Sequence, residues 1–249
     1  MAMSRTCIGG TNYNIKSGRT YIGSTGYDIK KGRTLIGGTG YDIKFTVPLA
    51  ELAEGTVITI KENGSPVEFF TAKQDYESDL NGFGRVLFVR KNCLDELQQV
   101  TSGSSLTSFV FTTLCSNLNK TYLARFSSAV QTAISTTTFI SGPRSQTSTK
   151  KAVFALSATE MGWVYNRSTD VNQLAYEEGT KLSISDLLIP SEQTQWTRSN
   201  AMSYISRYVA VTTSGVFGAV DQTYERAVCP CFTLPATMEV DSNFELIEE

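Results

Sequence analysis

Ile8-Gly9-Gly10-Thr11-Asn12-Tyr13-Asn14-Ile15-Lys16-Ser17-Gly18-Arg19-Thr20-Tyr21 is followed directly by a near copy, Ile22 to Leu35, and by a shortened third copy, Ile36 to Lys44. The period is 14 residues. Gly9/Gly23/Gly37, Thr11/Thr25/Thr39, Tyr13/Tyr27/Tyr41, Ile15/Ile29/Ile43 and Lys16/Lys30/Lys44 coincide, and Arg19/Arg33 and Thr20/Thr34 continue the match. So regular a repeat outranks other sequence signals, because each copy is one unit that cannot bury an apolar face alone. Thr11, Tyr13 and Ile15 alternate along the chain, so an extended strand puts them on one face. Ser17-Gly18 and Lys31-Gly32 read as tight turns, since glycine accepts positive φ, and Gly9-Gly10, Gly23-Ser24 and Gly37-Gly38 punctuate the other end. Each repeat is then two short strands and two turns. The whole is a β-repeat ribbon, either a meander or a small β-solenoid. Such a ribbon is too thin to stand alone. Tyr13, Ile15, Tyr27, Ile29, Tyr41 and Ile43 are expected to lie against neighbours and drive assembly or anchoring.

About 200 further residues are enough for a substantial core. Twenty-four acidic residues against 22 basic ones leave a formal charge of −2, and the scattered basic residues form no footprint for nucleic acid. No apolar run reaches the ~18 residues of a membrane span. Met1 to Thr6 carries no apolar segment of a secretory signal, so synthesis in the cytoplasm without signal-directed export is the expectation. The five cysteines, Cys7, Cys93, Cys115, Cys229 and Cys231, fit no disulfide framework, so reduced and mostly buried thiols are expected. Histidine is absent, which removes the usual general base, the usual zinc ligand and every Ser–His or Cys–His pair. Cys229-Pro230-Cys231 would have to gather other thiols or carboxylates to close a metal site. No metal, cofactor or catalytic residue is therefore expected. Ser and Thr supply 57 of 249 residues, a composition that keeps β-rich surfaces soluble without high charge and favours a binding or structural role over catalysis.

Beyond the repeats, Val57–Ile60 and Val67–Ala72 read as strands around a turn at Asn63-Gly64, and Arg85–Arg90 as a buried, nearly all-apolar strand. Phe109–Leu123 and Ser127–Ile134 carry helical periodicity. Thr136–Ile140 reverts to strand, Ser141–Lys150 reads as a polar loop, and Ala152–Leu156 as another strand. Ser157 and Glu160 form a capping box, in which each side chain satisfies the other's backbone N–H, opening a short helix that ends at Gly162-Trp163. Strands follow at Gln195–Ser199, Tyr208–Thr212, Val216–Val220 and Val228–Leu234. The body is thus α+β.

The order of short motifs carries a resemblance. Lys73-x-Asp75-Tyr76, Gly84-Arg85-Val86-Leu87-x-x-Arg90-Lys91 and Leu118-Asn119-x-x-Tyr122 precede Phe154-x-Leu156-Ser157-x-x-Glu160-x-Gly162, Trp196-x-Arg198-Ser199 and Val228-x-Pro230-x-Phe232-x-Leu234. Over roughly residues 55 to 240 this order resembles a domain family of unknown function, common in bacterial surface proteins and their phages. That family is similar to the formylglycine-generating-enzyme type of C-type-lectin-like fold. The Ile-Gly-Gly-Thr-x-Tyr-x-Ile repeats resemble those of tailed-phage structural proteins. Cys229 and Cys231 stand where the family has arginine and a small residue, and Asn200 stands where proline often follows the tryptophan motif. The resemblance therefore implies the fold and not the enzymatic activity.

It implies three parts: a repeat segment over 1–46, a C-type-lectin-like domain over 47–240 and an acidic tail over 241–249. Trp196 and Phe232 would be core, and Arg198 and Glu160 a buried or semi-buried ion pair. The loop-rich stretch Ser199 to Arg226 is where lectin-like domains display a binding surface. Asn200, Tyr204, Arg207, Tyr208, Tyr224 and Arg226 are its candidate ligand-binding residues, Tyr and Arg being hot-spot types. The expected protein is a non-enzymatic virion part, in tail, baseplate, neck or head appendage. Its expected partners are itself, as a trimer, other virion proteins and a host surface glycan or protein. The alternatives are a connector or capsid decoration protein with contacts only inside the particle, and an enzyme of the formylglycine-generating type.

Overall fold

The computed structural model describes the backbone at 4–8, 11–15, 19–22, 25–28, 31–36, 39–44 and 147–148, and the chain at 46–101, 108–141, 149–164, 178–189, 192–201 and 206–248. The repeats form three antiparallel hairpins: β1 (Ser4–Ile8) with β2 (Thr11–Ile15), β3 (Arg19–Ile22) with β4 (Thr25–Asp28), and β5 (Lys31–Ile36) with β6 (Thr39–Lys44). The sequence period reappears as register. Ile8 pairs with Thr11, Ile22 with Thr25 and Ile36 with Thr39, while Tyr13, Tyr27 and Tyr41 each pair with a threonine. Among the described residues each of these strands pairs only within its hairpin. That differs from a β-solenoid, which would pair equivalent strands one repeat apart. Each described strand instead meets its sequence neighbour, antiparallel. Lys31-Gly32, expected as a turn, lies inside β5, where Gly32 pairs with Ile43. Ile29 and Tyr204 lie outside the described residues.

The body opens with β7 (Val47–Pro48) and a 3-10 turn, Leu49–Glu51. β8 (Val57–Glu62) and β9 (Ser65–Gln74) make the expected hairpin, and α1 (Ser78–Asn81) leads into β10 (Arg85–Arg90). The helical stretch resolves into α2 (Thr113–Asn117), a π-type turn at Leu118–Tyr122 and α3 (Ser128–Ala133). Thr112 Oγ1 caps α2 by accepting from Cys115 N, and Ser127 Oγ caps α3 by accepting from Val130 N. Then come β11 (Thr137–Ser141), β12 (Thr147–Lys151) and β13 (Val153–Ala155). β12 pairs with β11 in the stretch expected as loop, its threonines being strand formers. Ser157 to Trp163 makes one turn rather than a helix. Trp163 N donates to Ala158 O, and Gly162, at φ +100°, stops propagation.

The second half supplies β14 (Gln195–Asn200), β15 (Arg207–Val211) and β16 (Phe217–Asp221), a separate three-stranded sheet, and then β17 (Pro230–Pro235) and β18 (Glu239–Val240). The main sheet has the order β13-β17-β10-β9-β8 and is antiparallel throughout. β10 and β17 sit inside it and are buried on both faces, which is why Arg85–Arg90 reads as a continuous apolar run. Phe232 of β17 meets Phe69 at 5.4 Å and Phe126 at 5.2 Å, both edge-on, at the centre of the core. β18 pairs with β7, so the body begins and ends in one ribbon. The acidic segment beyond it is tied down over 241–248: Thr59 N donates to Phe244 O, Leu246 N to Thr59 O, and Leu246 is buried. No helix among the described residues is long and apolar enough to cross a membrane. Architecture and sequence agree at the level of an α+β, β-rich fold.

Phe232→Ala removes the ring that joins both aromatic neighbours and leaves a cavity under β17. A loss of about 3–5 kcal/mol is expected from urea unfolding; a loss under about 1 kcal/mol would place the core elsewhere.

Candidate functional site

The Ser157–Glu160 turn builds a buried polar cluster. Ser157 N donates to Glu160 Oε2 at 2.8 Å and Glu160 N donates to Ser157 Oγ at 3.1 Å, which is the reciprocal box read from the sequence. Arg198, from the fully buried strand β14, closes a bidentate pair on the same carboxylate, Nη1 to Oε2 at 2.5 Å and Nη2 to Oε1 at 2.9 Å. Both side chains are wholly inaccessible. Tyr76, after β9, donates its hydroxyl to Glu160 Oε1 at 2.5 Å. Each carboxylate oxygen thus accepts two hydrogen bonds, and no lone pair is left for a substrate.

The guanidinium places four of its five N–H groups. Arg198 Nη1 also donates to Ala155 O and Nε to Ile140 O, so one side chain ties β14 to the ends of β13 and β11. Its plane lies over Phe139, 4.9 Å from the ring centroid. Ser157 Oγ donates to Glu178 O, and Ser199 Oγ donates to Glu178 Oε2 at 2.8 Å while accepting from Ala158 N. Burial works against the Arg198 charge, but Glu160 beside it holds the pKa above that of a free arginine. Burial, and then the Glu160 charge, push the Tyr76 phenol well up, so it stays protonated and donating. Gly179 takes φ +79° here, and a Cβ on it would come within 3.0 Å of Glu160 Oε1 and 3.1 Å of Glu77 Oε1.

A second buried carboxylate repeats the pattern. Glu62 Oε1 accepts from Tyr122 Oη at 2.6 Å and from Arg90 Nε at 3.1 Å, joining β8 and β10 to the π-type turn. Asn119 in that turn accepts from Ala152 N and Val153 N and donates to Val153 O, fixing β13. Of the motif residues, Tyr76, Arg90, Asn119, Tyr122, Ser157, Glu160 and Arg198 therefore all join chain segments to one another. Trp196 is buried and donates Nε1–H to Gln98 O at 2.8 Å.

The candidate ligand-binding residues separate into two groups. Asn200 and Tyr208 face each other across β14 and β15, hydrogen-bonded and fully buried, and burial pushes the Tyr208 phenol up. They are internal because β14 is covered on both faces, which residue type alone does not reveal. Arg207, Tyr224 and Arg226 remain at the surface. Arg207 pairs with Asp221 in the β15–β16 ladder. Tyr224 follows on the turn after Asp221, and Arg226 lies 5.6 Å from its ring centroid. The Asp221 carboxyl sits below the usual range, through its Thr223 hydrogen bonds and the charge of Arg207. One juxtaposition escaped the sequence reading: Cys229 lies against Cys93, not in a site with Cys231, whose thiol is buried and donates to Phe154 O at 3.1 Å. The pairing that brings them together is non-local: Cys93 follows β10 and Cys229 precedes β17, which are antiparallel neighbours.

The model of DUF6273, a domain of unknown function, matches residues 84–236, more than half of the chain. It spans Glu160, Arg198 and both cysteines of that pair, but not Tyr76. No curated protein and no solved structure matches the chain.

Glu77, beside Gly179, is held above the ordinary carboxylate range by burial and by the Glu160 charge. A carboxyl raised in this way contributes stability below its unfolded pKa and loses it as pH rises through the folded value. Glu77→Gln is expected to raise stability at neutral pH, by up to about 1 kcal/mol after discounting for solvent around the group, and to be neutral near pH 3. Urea midpoints at the two pH values check this; an equal gain at both would contradict the electrostatic cause.

Proposed function

This chain belongs to the DUF6273 family, and we propose that it is a non-enzymatic structural protein of a virion, anchored or oligomerised through its repeats. In this reading the body is a C-type-lectin-like domain carried outward on the particle. The observation that carries it is the tandem of three hairpins in one register. A two-stranded hairpin is marginal in water, and its open edges are templates for further strands. Identical hairpins from neighbouring copies supply such strands at matching register, which favours a closed symmetric assembly, a trimer in the simplest case. Tyr13, Ile15, Tyr27, Ile29, Tyr41 and Ile43 are the side chains assigned to that packing.

The body fits a display role. Its charged centre is spent on internal ties, while Arg207, Tyr224 and Arg226 gather near one end of the three-stranded sheet. Weak contacts to a host surface glycan or protein would gain strength from several copies acting together. A second reading, a connector with contacts only inside the particle, is favoured by one observation: Asn200 and Tyr208 are buried, which leaves a small face for an external ligand. Adsorption of labelled protein to host cells separates the two.

The assembly claim is tested by light scattering coupled to size exclusion, on the full chain and on a chain beginning at Val47. The full chain is expected as an oligomer and the shortened, still folded chain as a monomer. An oligomer that survives the deletion would move assembly to the body.

A further inference from the structure

Cys93 and Cys229 share one cavity. Leu94 N donates to Val228 O at 2.9 Å, so the two cysteines flank a backbone contact. Both line a cavity of about 140 Å³, along with Arg90, Gln195 and Met161. Cys229 lies close enough to Cys93 for that cysteine to raise its pKa, and Cys93 Sγ donates to Gln195 Oε1 at 3.2 Å. Both thiols are free and both residues are partly exposed, whereas Cys115 and Cys231 are buried.

We propose that Cys93 and Cys229 are a reversible disulfide pair, oxidised by exchange with a small-molecule disulfide that reaches this cavity. Cys93 gives its proton to solvent and attacks one sulfur of the reagent, whose S–S bond breaks to give a mixed disulfide on Cys93 and one departing thiolate, which takes up a proton. Cys229 then gives its proton to solvent and attacks the Cys93 sulfur. The mixed bond breaks, and the second reagent thiol leaves. Two protein thiols lose two electrons, and one reagent disulfide becomes two thiols. The order of attack follows from the surroundings. Contact with Cys93 and burial hold the Cys229 thiol well above its ordinary pKa, which makes it the resolving partner. Arg90 and Lys91 on the cavity wall are matched by Asp95 and Glu192, so the lining does not select a charged reagent.

The bond joins positions 93 and 229, so it closes a long loop in the unfolded chain and removes entropy from that state. It also staples the segment Leu94–Gln98 to the start of β17. Gln98 and Arg226 exchange backbone hydrogen bonds at 2.8 and 3.0 Å, so the staple stiffens the segment between β16 and β17 that carries Arg226 and Tyr224. The chemistry is independent of the virion reading.

The test uses the folded, reduced full chain, incubated with excess hydroxyethyl disulfide and then digested without reductant for mass spectrometry. The expected result is one peptide pair linking Cys93 to Cys229, an intact mass lower by two hydrogens, and a melting temperature raised by several degrees. All three are reversed by dithiothreitol. Cys229→Ser is expected to trap a stable hydroxyethyl adduct on Cys93; should that variant not fold, the wild-type mapping decides alone. Stable adducts without the Cys93–Cys229 link, a link between other cysteines, or no reaction would each overturn the proposal.

Discussion

A bare carboxylate and a bare guanidinium cannot be buried side by side unless every remaining donor and acceptor is also satisfied. Glu160 meets that demand in full, and Arg198 places four of its five N–H groups. Four hydrogen bonds reach the carboxylate, and the guanidinium donates to Ile140 O and Ala155 O besides. The requirement dictates the geometry around the pair. The Ser157 turn must present its N–H, Tyr76 must arrive from the end of β9, and β14 must run close beneath β13. Loops that would otherwise be independent are held in one arrangement by the cost of leaving either charge incomplete. Buried ion pairs often add little stability over an apolar cluster of equal volume, whereas removing one partner alone is costly.

Much of the body was legible in the chain. Arg85–Arg90 announces a central strand by its unbroken apolar run, and Ser157 and Glu160 announce their reciprocal bonds by spacing. Trp196 and Phe232 are core as their size suggests. What stayed hidden is non-local. The hydroxyl of Tyr76 finds a carboxylate 84 residues away, and Asn119 spends its amide on β13. Nothing in the local sequence encodes such distances. Asn200 and Tyr208 have the composition of a binding loop, yet the register of β14 on β15 turns both inward. Residue type suggested recognition; strand pairing decided exposure.

The two halves of the chain solve the problem of stability differently. The body has enough apolar area for an aromatic core, with Phe69, Phe126 and Phe232 in mutual contact. The described residues of the repeats form paired strands, in threefold repetition of one register. The proposed virion role rests on that contrast, with neighbours completing what the repeats lack.

The most direct test is a double-mutant cycle on the buried pair, Glu160→Gln and Arg198→Met singly and together, read by urea unfolding. Each single change leaves its partner's groups unpaired and should cost about 3–5 kcal/mol. The double variant should be clearly more stable than the sum of the two losses, with a coupling above about 1 kcal/mol. Losses that simply add would mean that the pair does not act as a unit, and that the loops are held in place by something else.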